Sequence, residues 1–455
     1  MFDIPAFAEQ ALAILNQGGF AAYLVGGCVR DRVRGGVPKD WDIATGAEPA
    51  QVKAAFAGHK VIETGLKHGT VTVLIAGQPL EITTFRVDGD YTDNRRPDSV
   101  SFTKSLREDL ARRDFTMNAL AYHPDEGIID YFGGVEDIRQ GVIRCVGDPD
   151  QRFREDGLRL LRALRFSAVY AMPIEAKTAA AIHHNRELLR NISAERVQSE
   201  LTELLCGDGA PDVLAAYADV FAVPLPEILP MIGFQQHTVY HDSDVWGHTL
   251  KVLGAIPPEP VLKWAALLHD MGKPSCFHLD EQGVGHFYGH GAKSAAIAKE
   301  ILERLKFDHI SREKILFLVE RHAARLEPNM KTVKRWLGRY GQEALLQLIQ
   351  LYRADCCGRS PAFYGRLDQY DRLEEIVRAV ADSEDCFSLK QLAVKGGDIA
   401  GLGYQGKEIG DALAFLLNAV IDEKVANDRQ KLLDYLRSQA MERGGAACGW
   451  GRYDK

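Results

Sequence analysis

Strand-forming patterns crowd into the first third of this chain and then stop. Ala21-Ala22-Tyr23-Leu24-Val25 has the apolar run of a buried strand, and Trp41 to Thr45 and Thr70 to Ile75 look like two more. Leu80-Glu81-Ile82-Thr83-Thr84-Phe85 nearly alternates apolar and polar residues, as a half-buried strand does. Glu9 to Leu15 has the spacing of an amphipathic helix. Beyond about residue 150 the period becomes helical, over 156–170, 176–189, 194–205, 237–360 and 385–440, with a break at Pro224-Leu225-Pro226. A chain of 455 residues is expected to hold several cores. The pattern therefore predicts an α+β molecule: a small mixed-sheet head (1–140), an all-α neck (141–225), a histidine-rich helical domain (226–380) and a helical tail (381–455).

Other classes are argued against by what is missing. No apolar run approaches the roughly 18 residues of a membrane span, and Met1-Phe2-Asp3-Ile4-Pro5 has no basic-then-apolar leader pattern. The eight cysteines form no C-x-x-C pair, which argues against a disulfide framework and points to the cytoplasm. A net charge of -8 excludes a uniformly basic coat while leaving room for local basic patches.

The head carries a chemical signature. Gly26-Gly27-Cys28-Val29-Arg30-Asp31 follows the first strand, and Lys39-Asp40-Trp41-Asp42 follows soon after. Glycines admit phosphate close to the backbone, and an arginine neutralises it. Residues two apart on a strand share a face, so Asp40 and Asp42 form a pair of hard oxygen ligands suited to Mg²⁺ and a triphosphate. Glu81 lies mid-strand, where a buried carboxylate without a partner would be costly, and metal binding beside that pair accounts for it. Two Mg²⁺ ions could then activate an attacking hydroxyl and stabilise leaving pyrophosphate, which is nucleotidyl transfer.

Asp156, Arg159, Arg162 and Arg165 recur every third residue, as one stripe on a helix, beside an apolar stripe of Leu158, Leu161 and Leu164. A solvated face opposite a core fits the same spacing. Yet a carboxylate only accepts and a guanidinium only donates. Cytosine and adenine each offer an amino donor beside a ring-nitrogen acceptor, whereas guanine and uracil offer the reverse. An Asp156/Arg159 edge would accept C and A and reject G and U.

These segments, with Arg112-Arg113-Asp114-Phe115-Thr116-Met117-Asn118-Ala119 and Glu155-Asp156 through Arg165-Phe166, resemble the class II tRNA nucleotidyltransferases: the CCA-adding enzymes and their bacterial poly(A) polymerase relatives. The resemblance covers at least residues 20–170. It implies a nucleotidyltransferase head with catalytic Asp40, Asp42 and Glu81, and a nucleotide held by Gly26, Gly27, Arg30 and Arg113. It also implies base selection by Asp156 and Arg159, with Arg162 and Arg165 near the incoming nucleotide or primer. Arg86 to Pro97 looks like the flexible loop used by full CCA-adding enzymes in passing from C to A addition.

Nine of the fourteen histidines fall between His237 and His322. His248, His269-Asp270 and Asp355 resemble the ligands of an HD phosphohydrolase domain, with His290 and His322 available to a second divalent metal. Histidines that merely cap helices and satisfy one another fit this pattern as well. Residues 392–399 and 410–429 resemble the family's tRNA-bracing tail, and Lys331, Lys334, Arg335 and Arg339 could meet phosphates or simply face solvent. The expected activity is Mg²⁺-dependent, template-independent addition of C, C and A to the tRNA 3′ end from CTP and ATP. No membrane and no obligate protein partner is expected. The alternatives are an HD metallophosphohydrolase with a nucleotide-sensing head, and a poly(A) polymerase, whose basic C-terminal extension is not seen.

Overall fold

The computed structural model describes residues 3–66, 69–89 and 100–442. They form two compact units, one running to Leu229 with Ile301–Phe307, the other comprising Pro230–Glu300 and the chain from Asp308 on.

The first unit opens with helix α1 (Ala6–Gln17), which buries Ala8, Ala11, Leu12 and Leu15 at helical spacing. Strand β1 (Ala22–Val25), helix α2 (Gly27–Val33), strand β2 (Asp42–Thr45) and helix α3 (Pro49–Ala55) follow. Strands β3 (Lys60–Gly65), β4 (Thr70–Ile75) and β5 (Gln78–Thr84) come next, then the hairpin of β6 (Arg86–Asp88) and β7 (Val100–Phe102). Helix α4 (Leu106–Ala111), strands β8 (Leu120–His123) and β9 (Gly127–Asp130) and helix α5 (Gly134–Gln140) complete the head.

Seven strands make one mixed sheet in the order β3-β4-β5-β2-β1-β8-β9. Only the β2–β5 pair is parallel, with Asp42 opposite Glu81; the other pairs are antiparallel. The four strand-like runs read from the sequence all lie in this sheet. Strands β3, β8 and β9 carry too few apolar residues, or too short a run, to declare themselves; they gain their state from their neighbours.

Helices α6 (Pro149–Glu155), α7 (Leu158–Tyr170), α8 (Ala176–Asn185), α9 (Ala194–Leu205), α10 (Ala210–Ala216) and α11 (Ala218–Phe221) belong to the same unit. Here one expectation is corrected. Asp156 is not on a helix with Arg159, Arg162 and Arg165. It sits in extended backbone (φ -139, ψ 106) between α6 and α7, and Gly157 starts the new helix. The three arginines do share α7, whose Leu158, Leu161 and Leu164 are buried.

In the second unit, helices α12 (Val245–Ala255), α13 (Pro260–Leu268), α14 (His290–Arg304, up to Glu300), α15 (His309–Arg321), α16 (Met330–Tyr340), α17 (Gln342–Cys357) and α18 (Leu367–Asp382) precede a tail. The tail core gathers Val394, Ile399, Leu416, Leu432 and Leu436. Two two-residue strands, His278–Leu279 and Gly285–His286, are the only strands described after residue 150. Three of the four basic residues offered to phosphate are engaged within the protein: Lys334 with Asp385 at 2.9 Å, Arg335 with Asp422, and Lys331 with the Asp422 carbonyl at 3.2 Å. Arg339 lies over the Tyr340 ring. Residues 90–97 of the expected flexible loop, and the segment 444–449, lie outside the described residues. No helix among the described residues is long and apolar enough to cross a membrane.

Candidate active site

The head cavity, about 1440 Å³, is built from the β1–α2 turn, the start of β2, the middle of β5 and the exposed face of α7. Gly26 follows β1 with φ +73, a conformation that suits glycine. A Cβ there would stand 2.7 Å from an Arg113 guanidinium nitrogen, so this glycine is what lets Arg113 lie against the turn. Gly27 opens α2 with ordinary contacts only.

Asp40, Asp42 and Glu81 all line this cavity. In-register parallel pairing puts Asp42 and Glu81 side by side on one face of the sheet, while Asp40 stands in the bend just before β2. The expectation that Glu81 is buried is corrected: it is exposed, because β5 turns Leu80 and Ile82 inward and leaves Glu81 to the cavity. Its placement thus rests on strand register and not on the cost of burial. The Asp42 carboxyl is raised to about 6 by burial, then by Glu81; Arg113 opposes this and Asp40 adds to it. Repulsion of this kind among converging carboxylates fits a site whose natural occupant is a cation. Among the described residues they do not form a trio with oxygens within 4.8 Å of one another, so the cluster is open.

A buried network backs the cavity. Arg30 donates to Asn118 Oδ1 (2.7 Å) and Asp31 Oδ1 (2.8 Å), and lies 5.3 Å from the Phe166 ring centroid and 5.2 Å from that of Tyr170. Asn118 donates to Asp114, whose other oxygen accepts from Arg162 at 2.8 Å. Burial would push the Asp114 carboxyl up, but Arg162, Asn118 and Arg159 bring it down to about 2. Asp114 and Asn118 also line the cavity; the site reading left them out, although the quoted motif contains both.

Asp156 and Arg159 both line the cavity, and the Arg159 amide donates to the Asp156 carbonyl at 3.0 Å. Asp156 accepts from Arg196 (2.8 Å at Oδ2) and from its own Leu158 amide (3.0 Å). Arg159 is buried and donates to Glu155 (2.6 Å), to the Arg152 carbonyl (3.1 Å) and to the Arg112 carbonyl (2.9 Å). Arg165 pairs with Glu200 at 2.8 Å and with Glu203.

The second unit holds the histidine cluster. His248, His269 and Asp270 offer ligand atoms within 4.8 Å of one another, and so do Asp270, His290 and His322, so the two groups share Asp270. Asp355 joins through His248 Nε2 at 3.0 Å. Burial lowers His248 and drives His290 down to about 4. Burial opposes protonation of His269, but Asp270 outweighs it and raises this ring. His269 Nε2 and both Asp270 oxygens are buried without a well-formed hydrogen bond, although Lys273 Nζ stands 2.7 Å from Asp270. Buried ligand atoms that converge with ion-pair contacts but without well-formed hydrogen bonds fit divalent metal. A cavity of about 390 Å³ adjoins the cluster at His322 and Asp355, with Arg359, Arg366 and Tyr370 on its wall.

Family profiles match the chain over residues 22–144 (Poly A polymerase head domain), 171–228 (probable RNA and SrmB-binding site of polymerase A) and 246–360 (HD domain). A CCA-adding enzyme of Limosilactobacillus fermentum is 34% identical over 441 residues, covering 94% of this chain and 96% of that one. The chain belongs to the CCA-adding enzyme family. The crystal structure of the Bacillus stearothermophilus CCA-adding enzyme in complex with CTP shares its architecture, with 31% identity, a TM-score of 0.75 and coverage of 96% and 98% of the two chains. The Thermotoga maritima CCA-adding enzyme complexed with tRNA shows the same fold at 19% identity and a TM-score of 0.61. Membership implies dependence on a divalent metal, and among the described residues the second unit offers two groups able to hold one. Arg196, on the α9 segment, is a further cavity residue of this CCA-adding enzyme family member that no local motif signalled.

Proposed function

We propose that the head cavity takes CTP and ATP and transfers their nucleotidyl groups to the 3′ end of tRNA. The transferred group passes from the triphosphate to a terminal ribose hydroxyl, which gives up its proton as it bonds to the α-phosphorus; pyrophosphate leaves. The observation that carries this reading is the register of β2 and β5, which sets Asp42 beside Glu81 with Asp40 one bend away in a cavity that also holds Asp156 and Arg159. In this reading Asp40 and Asp42, assisted by Glu81, would hold Mg²⁺, which when bound neutralises phosphate charge and polarises the hydroxyl. The Gly26–Gly27 turn admits the phosphates, Arg30 and Arg113 supply fixed positive charge, and Asp156 with Arg159 selects C and A. Arg162 and Arg165 serve the incoming nucleotide or the primer. Residues 1–140 then do the chemistry, 141–225 the selection, and 381–455 brace the tRNA.

Purified protein with tRNA lacking its CCA end, Mg²⁺ and single labelled triphosphates tests this. Incorporation of two C and one A is expected, without G or U. Asp42→Ala should lower incorporation at least a thousandfold. Long runs of A would favour the poly(A) polymerase reading instead.

The converging ligand atoms of His248, His269 and Asp270 favour a second activity, metal-dependent phosphohydrolysis, in the HD-type domain (226–380). The double change His269→Ala with Asp270→Ala should abolish any phosphatase activity and spare CMP transfer. Loss of both would defeat this division of labour.

A further inference from the structure

The base-reading carboxylate does not stand alone. Asp156 lies in extended backbone between two helices, so no helical turn fixes its side chain. Its Oδ1 accepts the Leu158 amide at 3.0 Å and approaches one Arg196 nitrogen at 3.4 Å, while Oδ2 accepts from the other Arg196 nitrogen at 2.8 Å. A guanidinium with one prong toward each oxygen holds the plane of a carboxylate in a way that a single contact does not. Each carboxylate oxygen has about two acceptor positions, so Oδ2 keeps one for another donor.

Arg196 stands in the first turn of α9 and lines the head cavity. The same helix carries Glu200 and Glu203, which engage Arg165, and Glu200 also approaches Arg162 at 3.8 Å. Meanwhile the Arg159 guanidinium is anchored by Glu155 and by the carbonyls of Arg152 and Arg112. The two halves of the base-reading edge are therefore aimed by separate supports, and the support for the carboxylate comes from a helix some forty residues further along the chain.

We propose that Arg196 is the positioning residue for base choice: it stays on Asp156 when a nucleotide binds and turns the free acceptor of Oδ2 toward the amino group shared by cytosine and adenine. This inference rests on the reading of Asp156 as the base-selecting acceptor. Without Arg196 the carboxylate rotates about its side-chain bonds, and its preference for an amino group over a carbonyl weakens.

The experiment measures kcat/KM for CTP and for UTP on tRNA lacking its CCA end, with wild type, Arg196→Ala and Arg196→Lys. Arg196→Ala should lower the CTP/UTP ratio at least tenfold, chiefly through a higher KM for CTP. Arg196→Lys, which keeps one charged contact but not two prongs, should fall between. Thermal unfolding of each variant separates loss of fold from loss of aim, and the lysine variant carries the test if the alanine variant does not fold. An unchanged ratio in a folded Arg196→Ala protein overturns the proposal. So does tighter CTP binding with the ratio intact, which would make Arg196 a competitor of the base for Asp156. Asp156→Ala serves as the control: if it leaves the ratio unchanged, the base-selection reading itself has failed.

Discussion

Asp42 is the residue on which proton and metal compete. Its folded value near 6 lies above the ordinary 3.8, so protonation is favoured by folding. That contribution to stability is complete below about pH 3.8 and lost as pH rises through 6. A metal needs the ionised form, so the apparent Mg²⁺ affinity should weaken about tenfold per pH unit below 6. Titrating the Mg²⁺ requirement of CMP transfer at pH 5, 6 and 7 checks this, and a flat requirement would contradict it. Asp114 behaves in the opposite sense. Its carboxyl near 2 holds Arg162 and Asn118, a contribution present above the ordinary carboxylate value and lost as pH falls toward 2. Asp114→Ala takes the acceptor from the half-buried Arg162 and the buried Asn118 and should cost about 1–3 kcal/mol in urea unfolding. Sequence named Asp42 from a two-residue spacing, but Asp114 hid in its own motif because nothing local tells a buried anchor from a surface charge.

At the scale of elements, α7 and α9 form the working pair. α7 presents Arg162 and Arg165, and α9 answers with Glu200 and Glu203. Their close approach depends on the turn after α9. A Cβ on Gly207 would fall 2.6 Å from the Ala168 carbonyl group, and the Gly209 amide bonds that same carbonyl at 2.9 Å. Gly207→Ala should therefore prise the helices apart, at about 1–3 kcal/mol of stability, read from its urea midpoint together with a fall in CMP transfer. The helical periods of both elements were plain in the sequence. Their pairing was not, since it is made by backbone contact at a glycine and by charges that elsewhere would be solvated. The break at Asp156 was likewise hidden: the three-residue charge spacing runs across it without interruption.

At the scale of the molecule, two compact units with separate cores should not unfold as one. Calorimetry is expected to show more than one transition, and added Mn²⁺ should raise a transition that His269→Ala with Asp270→Ala makes insensitive to the ion. A single transition unaffected by that double change would contradict this. What the sequence determined by itself was the order of parts: strands before helices, the glycine turn and the aspartate pair, the His-Asp step. Each follows from periodicity or from chemistry within a few residues, which a linear chain records directly. Tertiary structure decided what lies beside what. Glu81 comes beside Asp42 through one parallel register, Asp156 accepts from an arginine of α9, and two groups able to hold a metal share Asp270. Such contacts join residues tens of positions apart, and only packing of whole elements can choose among the many partners that each side chain would chemically accept.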